Sequence, residues 1–138
     1  MEREILYEDS KITIEYVKEG NYIHQTWKGI TSKEVFEKLL YKTLQLAKDI
    51  GTTGLLLDAR KHKGIGPESQ ALAAKETGEF AKTLTTGKFR EAIIVPVDIF
   101  SKFSVENFSR KMAENKYPVM SMFFDNIEKA EDWLRSNE

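Results

Sequence analysis

The chain opens on strand-like alternation. Ile12, Ile14 and Tyr16 interleave with Thr13, Glu15 and Val17, the period of two expected where one sheet face is buried, and Ile5 to Tyr7 can supply a short strand before them. Glu19-Gly20-Asn21 interrupts the pattern with turn residues, and Tyr22 to Lys28 resumes it, so the pair predicts a hairpin. Within the second arm Ile23, Gln25 and Trp27 share one face. Tyr22, His24 and Thr26 share the other, which places His24 toward the less buried side. The period then changes to that of a helix. Thr31-Ser-Lys-Glu34 has capping-box spacing, Ile30 and Val35 fit a hydrophobic staple, and Val35, Phe36, Leu39, Leu40, Leu44 and Ala47 form one apolar stripe that Gly51 is placed to end.

Leu55, Leu56 and Leu57 form an unbroken apolar run too short for a helix, which predicts a central strand buried on both faces, with Asp58 and Arg60 marking where it leaves the core. A turn with Gly64 and Gly66 leads to Pro67, a residue suited to the first turn of a helix. That helix is expected to run to about Leu84 with Ala71, Leu72, Ala74, Ala81 and Leu84 inward. Gly78 weakens it by about 1 kcal/mol relative to alanine, and Gly87 closes it. Ala92 to Val95 and Val97 read as another buried strand, with Pro96 near its end. Phe100, Phe103, Phe108 and Met112 fall in a helix expected between Asp98 and Tyr117, which Pro118 stops. Val119 to Phe124 supply the last strand, and Asp125 with Glu128 repeats the capping-box spacing before a final helix carrying Ile127, Ala130, Trp133 and Leu134.

Three strands followed by alternating helices and strands define an α/β fold: a mixed sheet with an N-terminal antiparallel meander, then βα repeats with helices packed on the sheet. At 138 residues, with 41% hydrophobic and 31% charged positions and no linker, one domain over residues 1–138 is expected. Twenty-one Lys and Arg against 22 Asp and Glu leave a formal charge of -1, which gives no general attraction to nucleic acid; Arg60, Lys61, His62 and Lys63 are the only basic run. With no cysteine, disulfides, thiolate nucleophiles and sulfur-ligated metals are excluded. The charged N-terminus MEREILYEDSK does not resemble a signal peptide, and no apolar run approaches the roughly 20 residues of a membrane span, so the expected location is the cytoplasm.

Candidate chemistry gathers after Leu57. A helix N-terminus behind the Gly64–Ser69 turn can hold an anion, with Arg60, His62 and Lys63 beside it; the alternative is an ordinary strand-to-helix loop. Asp58 and Arg60 alternate along an extended segment and so project the same way, either to orient a ligand or as a structural ion pair. His24 and His62 are the only histidines, lack ligand spacing and are expected to be exposed, so no metal site or cofactor is expected. Phe100, Phe103, Phe108 and Met112 belong either to the core or to an apolar groove.

With those residues in view, the chain resembles the SpoIIAA-like or STAS-like superfamily, and within it the STAS/SEC14 domain group of uncharacterised bacterial proteins. The likeness runs from Ile5 to Leu134 and rests on the opening meander, the LLLDAR strand end at Leu55 to Arg60, and FFDNIEKAEDWL at Phe123 to Leu134. It implies the fold. In the superfamily's anti-sigma-factor antagonists a serine at the start of the helix after the central strand is phosphorylated. The segment here, Gly64 to Ser69, lacks their Asp-Ser-Ser-Gly pattern and leaves Ser69 as the nearest hydroxyl.

The expected role is a non-enzymatic binding or regulatory module that engages a protein partner or a small apolar or anionic ligand at the strand-loop-helix edge, through Asp58, Arg60, His62, Gly64, Gly66, Ser69, Phe100 and Phe103. Two alternatives stand beside it: a small-molecule or lipid carrier with an internal pocket, and a small enzyme using Asp58, Arg60 and His62. No nucleic acid and no stable membrane insertion are expected. Should the chain associate with itself, a two-fold homodimer is the expected form.

Overall fold

The computed structural model describes residues 2–63, 67–83, 89–94 and 119–136. Six strands lie in one sheet in chain order: β1 (Arg3–Glu8), β2 (Ile12–Val17), β3 (Tyr22–Ile30), β4 (Gly54–Lys63), β5 (Phe89–Ile94) and β6 (Val119–Phe124). The first three are antiparallel neighbours, while β3, β4, β5 and β6 run parallel. Helices α1 (Lys33–Ile50) and α2 (Pro67–Lys82) contribute to the core on one face, and α3 (Ile127–Arg135) packs on the other.

Sheet parity divides the core in two. Ile12, Ile14, Ile23, Trp27, Leu55, Leu57, Phe89 and Ile93 pack with Phe36, Leu39, Leu40 and Leu44 of α1 and with Ala73, Ala74 and Phe80 of α2. Val17, Tyr22, Leu56, Ala92 and Ile94 face Ala130 and Leu134 of α3. Leu55, Leu56 and Leu57 are therefore shared between the two layers, none more than 8% exposed, as a strand with helices on both sides requires.

The strand does not end where the leucines do. β4 continues to Lys63, and Asp58 is only 6% exposed. Thr26 pairs with Asp58 but Lys28 pairs with Lys61, so Trp27 alone stands opposite both Ala59 and Arg60. This β-bulge inserts one residue and resets the alternation of everything after it.

α2 starts at Pro67 as expected, whereas the caps of α1 and α3 differ by one residue from the sequence expectation. Ser32, not Thr31, caps α1 by accepting from the Val35 N–H, because the Thr31 hydroxyl is engaged with His62. Ile30 and Val35 do not form a buried staple: they are 66% and 37% exposed. Asn126, not Asp125, caps α3 by accepting from the Lys129 N–H. The inner face of α2 carries Ala73, Ala74, Thr77, Phe80 and Ala81, whereas Ala71 and Leu72 are only half-buried. Gly51 ends α1 in a left-handed conformation, φ 82°, and donates to the Ala47 carbonyl. Arg90 anchors the far end of α3, its guanidinium donating to the carbonyls of Trp133 and Ser136 at 2.8 Å where the helix dipole is negative. Leu84, Gly87, Val95 to Val97 and the Asp98–Tyr117 segment lie outside the described residues.

One polar ladder crosses the α1 layer. Trp27 Nε1 donates to Gln25 Oε1, Gln25 Nε2 to Thr43 Oγ1 at 2.6 Å, and Thr43 Oγ1 to the Leu39 carbonyl. Gln25 and Thr43 have no exposed surface, so each link depends on its neighbour. Thr43→Val is expected to cost about 1–3 kcal/mol in urea unfolding, because Gln25 Nε2 is left without an acceptor. A loss below about 0.5 kcal/mol would show that the ladder does not set the register of α1 on β3.

Candidate functional site

The bulge separates the residues that the sequence groups together. Asp58 projects to the α3 face, as its register partner Thr26 and the parity of Leu56 require, and Arg60 folds back on it there. His62 is on the opposite face, with ring centroids 5.2 Å from Trp27 and 6.4 Å from Phe36. The basic run Arg60 to Lys63 is accordingly not one surface. Ser69 is the half-buried third residue of α2, while Gly64, Gly66, Phe100 and Phe103 lie outside the described residues.

Arg60 holds Asp58 in a bidentate fork. Its Nε donates to Oδ1 at 3.0 Å and its Nη2 to Oδ2 at 2.7 Å, with the Arg60 backbone N–H also on Oδ1. Burial alone would raise the Asp58 pKa, but these hydrogen bonds and the guanidinium charge outweigh it and hold the carboxyl below its ordinary range. Same-side projection is thus realised as an ion pair with a buried carboxylate and a half-exposed guanidinium.

His24 lies beside this pair and does not point toward solvent: it is 5% exposed. Arg3, at the start of β1, donates to His24 Nδ1 at 2.8 Å and to Glu131 Oε2, and Tyr22 Oη donates to the same Glu131 oxygen at 2.6 Å. A guanidinium has no lone pair to offer, so Nδ1 is the acceptor and the ring carries its proton on Nε2, facing Thr26 Oγ1 at 3.4 Å. Burial, followed by the Arg3 charge, lowers the His24 pKa to about 4, keeping the ring neutral. Arg3, His24 and Glu131 come from β1, β3 and α3. Nothing in their local spacing signals this cluster; only the strand order and the inward position of Glu131 on α3 assemble it.

His62 is also buried, at 8% exposure, against the expectation of an exposed ring. Its Nε2 pairs with Thr31 Oγ1 at 2.8 Å, and its Nδ1 has no hydrogen-bond partner. Burial and then the nearby Lys11 charge lower its pKa. On the same face Glu91, 1% exposed between Leu55 and Ser121, is pushed up to about 7 by burial, which the Ser121 hydrogen bond only partly offsets. Among the described residues no cluster of His, Asp or Glu is arranged to hold a metal, and no helix is long and apolar enough to cross a membrane.

This architecture matches a solved structure, that of an uncharacterised protein of the DUF3478 family from Shewanella loihica PV-4, described as having a SpoIIAA-like fold. The match covers 89% of this chain and 91% of that one, with 22% identity and a TM-score of 0.52. The chain has a SpoIIAA-like fold. The resemblance read from the LLLDAR and FFDNIEKAEDWL segments is in this sense correct. No family model and no curated protein matches the sequence.

His24 and Glu91, whose shifts are the largest of these four groups, act oppositely on stability in this SpoIIAA-like domain. Unfolded His24 takes a proton below about 6.5 and the folded form only near 4, so stability falls as pH drops through that window. Unfolded Glu91 loses its proton above about 4.5 and the folded form only near 7, so stability falls as pH rises between those values. Each contribution is roughly 3 kcal/mol, and they largely cancel where they overlap. Glu91→Gln is expected to unmask a stability that climbs from pH 4 to 6.5 in denaturant titrations. A profile as flat as wild type would refute the assignment to His24.

Proposed function

We propose that this protein is a non-enzymatic binding module that engages a partner or small ligand at the end of β4. The observation that carries the reading is the internal saturation of the acids and bases gathered on the α3 face. Asp58 is held by Arg60, the His24 lone pair by Arg3, and Glu131 by both Arg3 and Tyr22. General acid–base chemistry needs a group whose proton can leave or arrive near the working pH. Here burial and ion pairing pull Asp58 and His24 away from that range, and each is fixed to an intramolecular partner. Such a network suits a rigid surface better than a reaction centre.

What the end of β4 offers outward is the exposed part of the Arg60 side chain, 40% accessible, and the exposed Lys61. On the other face the unpartnered Nδ1 of His62 leaves a buried ring nitrogen unsatisfied, a feature that calls for an explanation in a native core. A panel of ester, phosphoester, amide and glycoside substrates is expected to show no turnover that depends on Asp58 and Arg60. Titration of the 15N-labelled protein with a low-molecular-weight cell extract should instead move amide signals from Arg60 to His62. Turnover that vanishes in Asp58→Asn/Arg60→Gln, with the circular dichroism spectrum retained, would overturn the reading in favour of an enzyme.

A further inference from the structure

The sheet brings together three lysines that are distant in sequence. Lys28 of β3 and Lys61 of β4 are direct register partners and so stand on one side of the sheet. Like charges placed opposite one another on neighbouring strands repel and modestly destabilise the sheet. Lys11 joins them at the start of β2: the Lys28 N–H donates to the Lys11 carbonyl, and Lys11 Nζ reaches the Ile30 carbonyl at 2.8 Å.

The neighbouring carboxylates are already occupied. Asp9, whose charge Lys28 feels, accepts from Tyr7 Oη and from the N–H groups of Lys11 and Ile12. Asp58 is closed on Arg60. Among the described residues no carboxylate lies within ion-pair distance of Lys11, Lys28 or Lys61. Adjacent strands are about 4.8 Å apart, so the backbones that carry the three lysines stand across roughly 10 Å, and the Lys11 ammonium must leave the Ile30 carbonyl to join the other two. That span fits one compact multivalent anion.

We infer that Lys11, Lys28 and Lys61 bind a phosphate-bearing ligand at the end of β3 and β4. This deepens the reading of that edge as a binding surface and rests on it. A phosphate or pyrophosphate group meets three cations without displacing an internal salt bridge, and its charge relieves the Lys28–Lys61 repulsion. Single-stranded nucleic acid fits less well, because among the described residues the one exposed aromatic, Tyr41, is on α1, away from these strand-end lysines. The phosphate can come from a soluble metabolite or from a lipid headgroup, and the two sources separate experimentally.

The test uses the full chain at low ionic strength, titrated with pyrophosphate in one arm and with phosphatidylcholine vesicles containing phosphatidylserine in the other. Saturable shifts of the Lys28 and Lys61 signals are expected with pyrophosphate for a soluble ligand, or sedimentation with the vesicles for a headgroup. Binding should weaken at least tenfold in Lys28→Gln/Lys61→Gln, survive in Lys28→Arg/Lys61→Arg, and decline with added salt. Lys61→Glu supplies a readout independent of ligand: it should raise the melting midpoint of the free protein while abolishing binding. Absence of binding in both arms, or affinity unchanged in the double Gln variant, overturns the inference. If the cell extract still shifts Arg60 to His62 in that event, the binding-module reading stands and only the phosphate assignment falls. Loss of both signals removes both.

Discussion

A strand that is packed on both sides has no spare face, so a single added residue changes the address of every side chain beyond it. β4 carries such a residue where Ala59 and Arg60 together oppose Trp27. Before the bulge, parity places Leu55 and Leu57 under α1 and α2 and Leu56 and Asp58 under α3. After it, His62 is returned to the α1 layer to meet Trp27, Phe36 and Thr31. Without the extra residue His62 would share a face with Asp58, and the α1 layer would lose the ring that engages the Thr31 hydroxyl.

The two layers handle polar burial differently. Under α1 and α2 the internal polar groups are neutral or shifted toward the neutral form: the Gln25–Thr43 ladder, His62, and Glu91 with its pKa pushed up to about 7. Under α3 they are charged and paired, with Arg3, Glu131, Asp58 and Arg60 forming two ion pairs around a neutral His24. Such pairs contribute little net stability, but removing a guanidinium strands a buried carboxylate, a cost that the part-exposure of Arg3 and Arg60 reduces below that of a fully buried pair. They therefore fix where β1 and α3 sit more than how strongly they are held. Arg90 at the end of α3 serves the same end, since a cation on the last carbonyls allows few other placements of the helix.

Much of this was legible in the sequence. The hydrophobic pattern, together with the turn and capping residues, locates all six described strands and the three described helices, because pattern and packing agree at Ile12 to Tyr16, at Phe36 to Ala47 and across Leu55 to Leu57. The caps of α1 and α3 fall one residue later because two capping side chains stand adjacent there, Thr31 with Ser32 and Asp125 with Asn126, and only tertiary demand on Thr31 by His62 decides the first. His24 was misplaced for a related reason: alternation assigns it a face, but cannot show that Arg3 and an inward-turned Glu131 would make that face a buried one. Asp58 and Arg60 were read correctly as projecting together, whereas His62 was not separable from them, because a bulge of this type leaves no mark in composition. The opposed Lys28 and Lys61 depend on register between strands and lie beyond any reading of a local run.

The placement of the two tryptophans has a practical consequence. Trp27 is sealed in the α1 layer against Phe36 and His62, while Trp133 lies on the opposite side of the sheet beside Phe124 and beneath the Arg90 guanidinium. The protein thus contains two native optical probes separated by a layer of backbone, one watching each half of the interior. Replacing either indole by phenylalanine would leave an emission spectrum that follows a single compartment, so loosening of α3 and loosening of α1 could be timed separately in the same molecule.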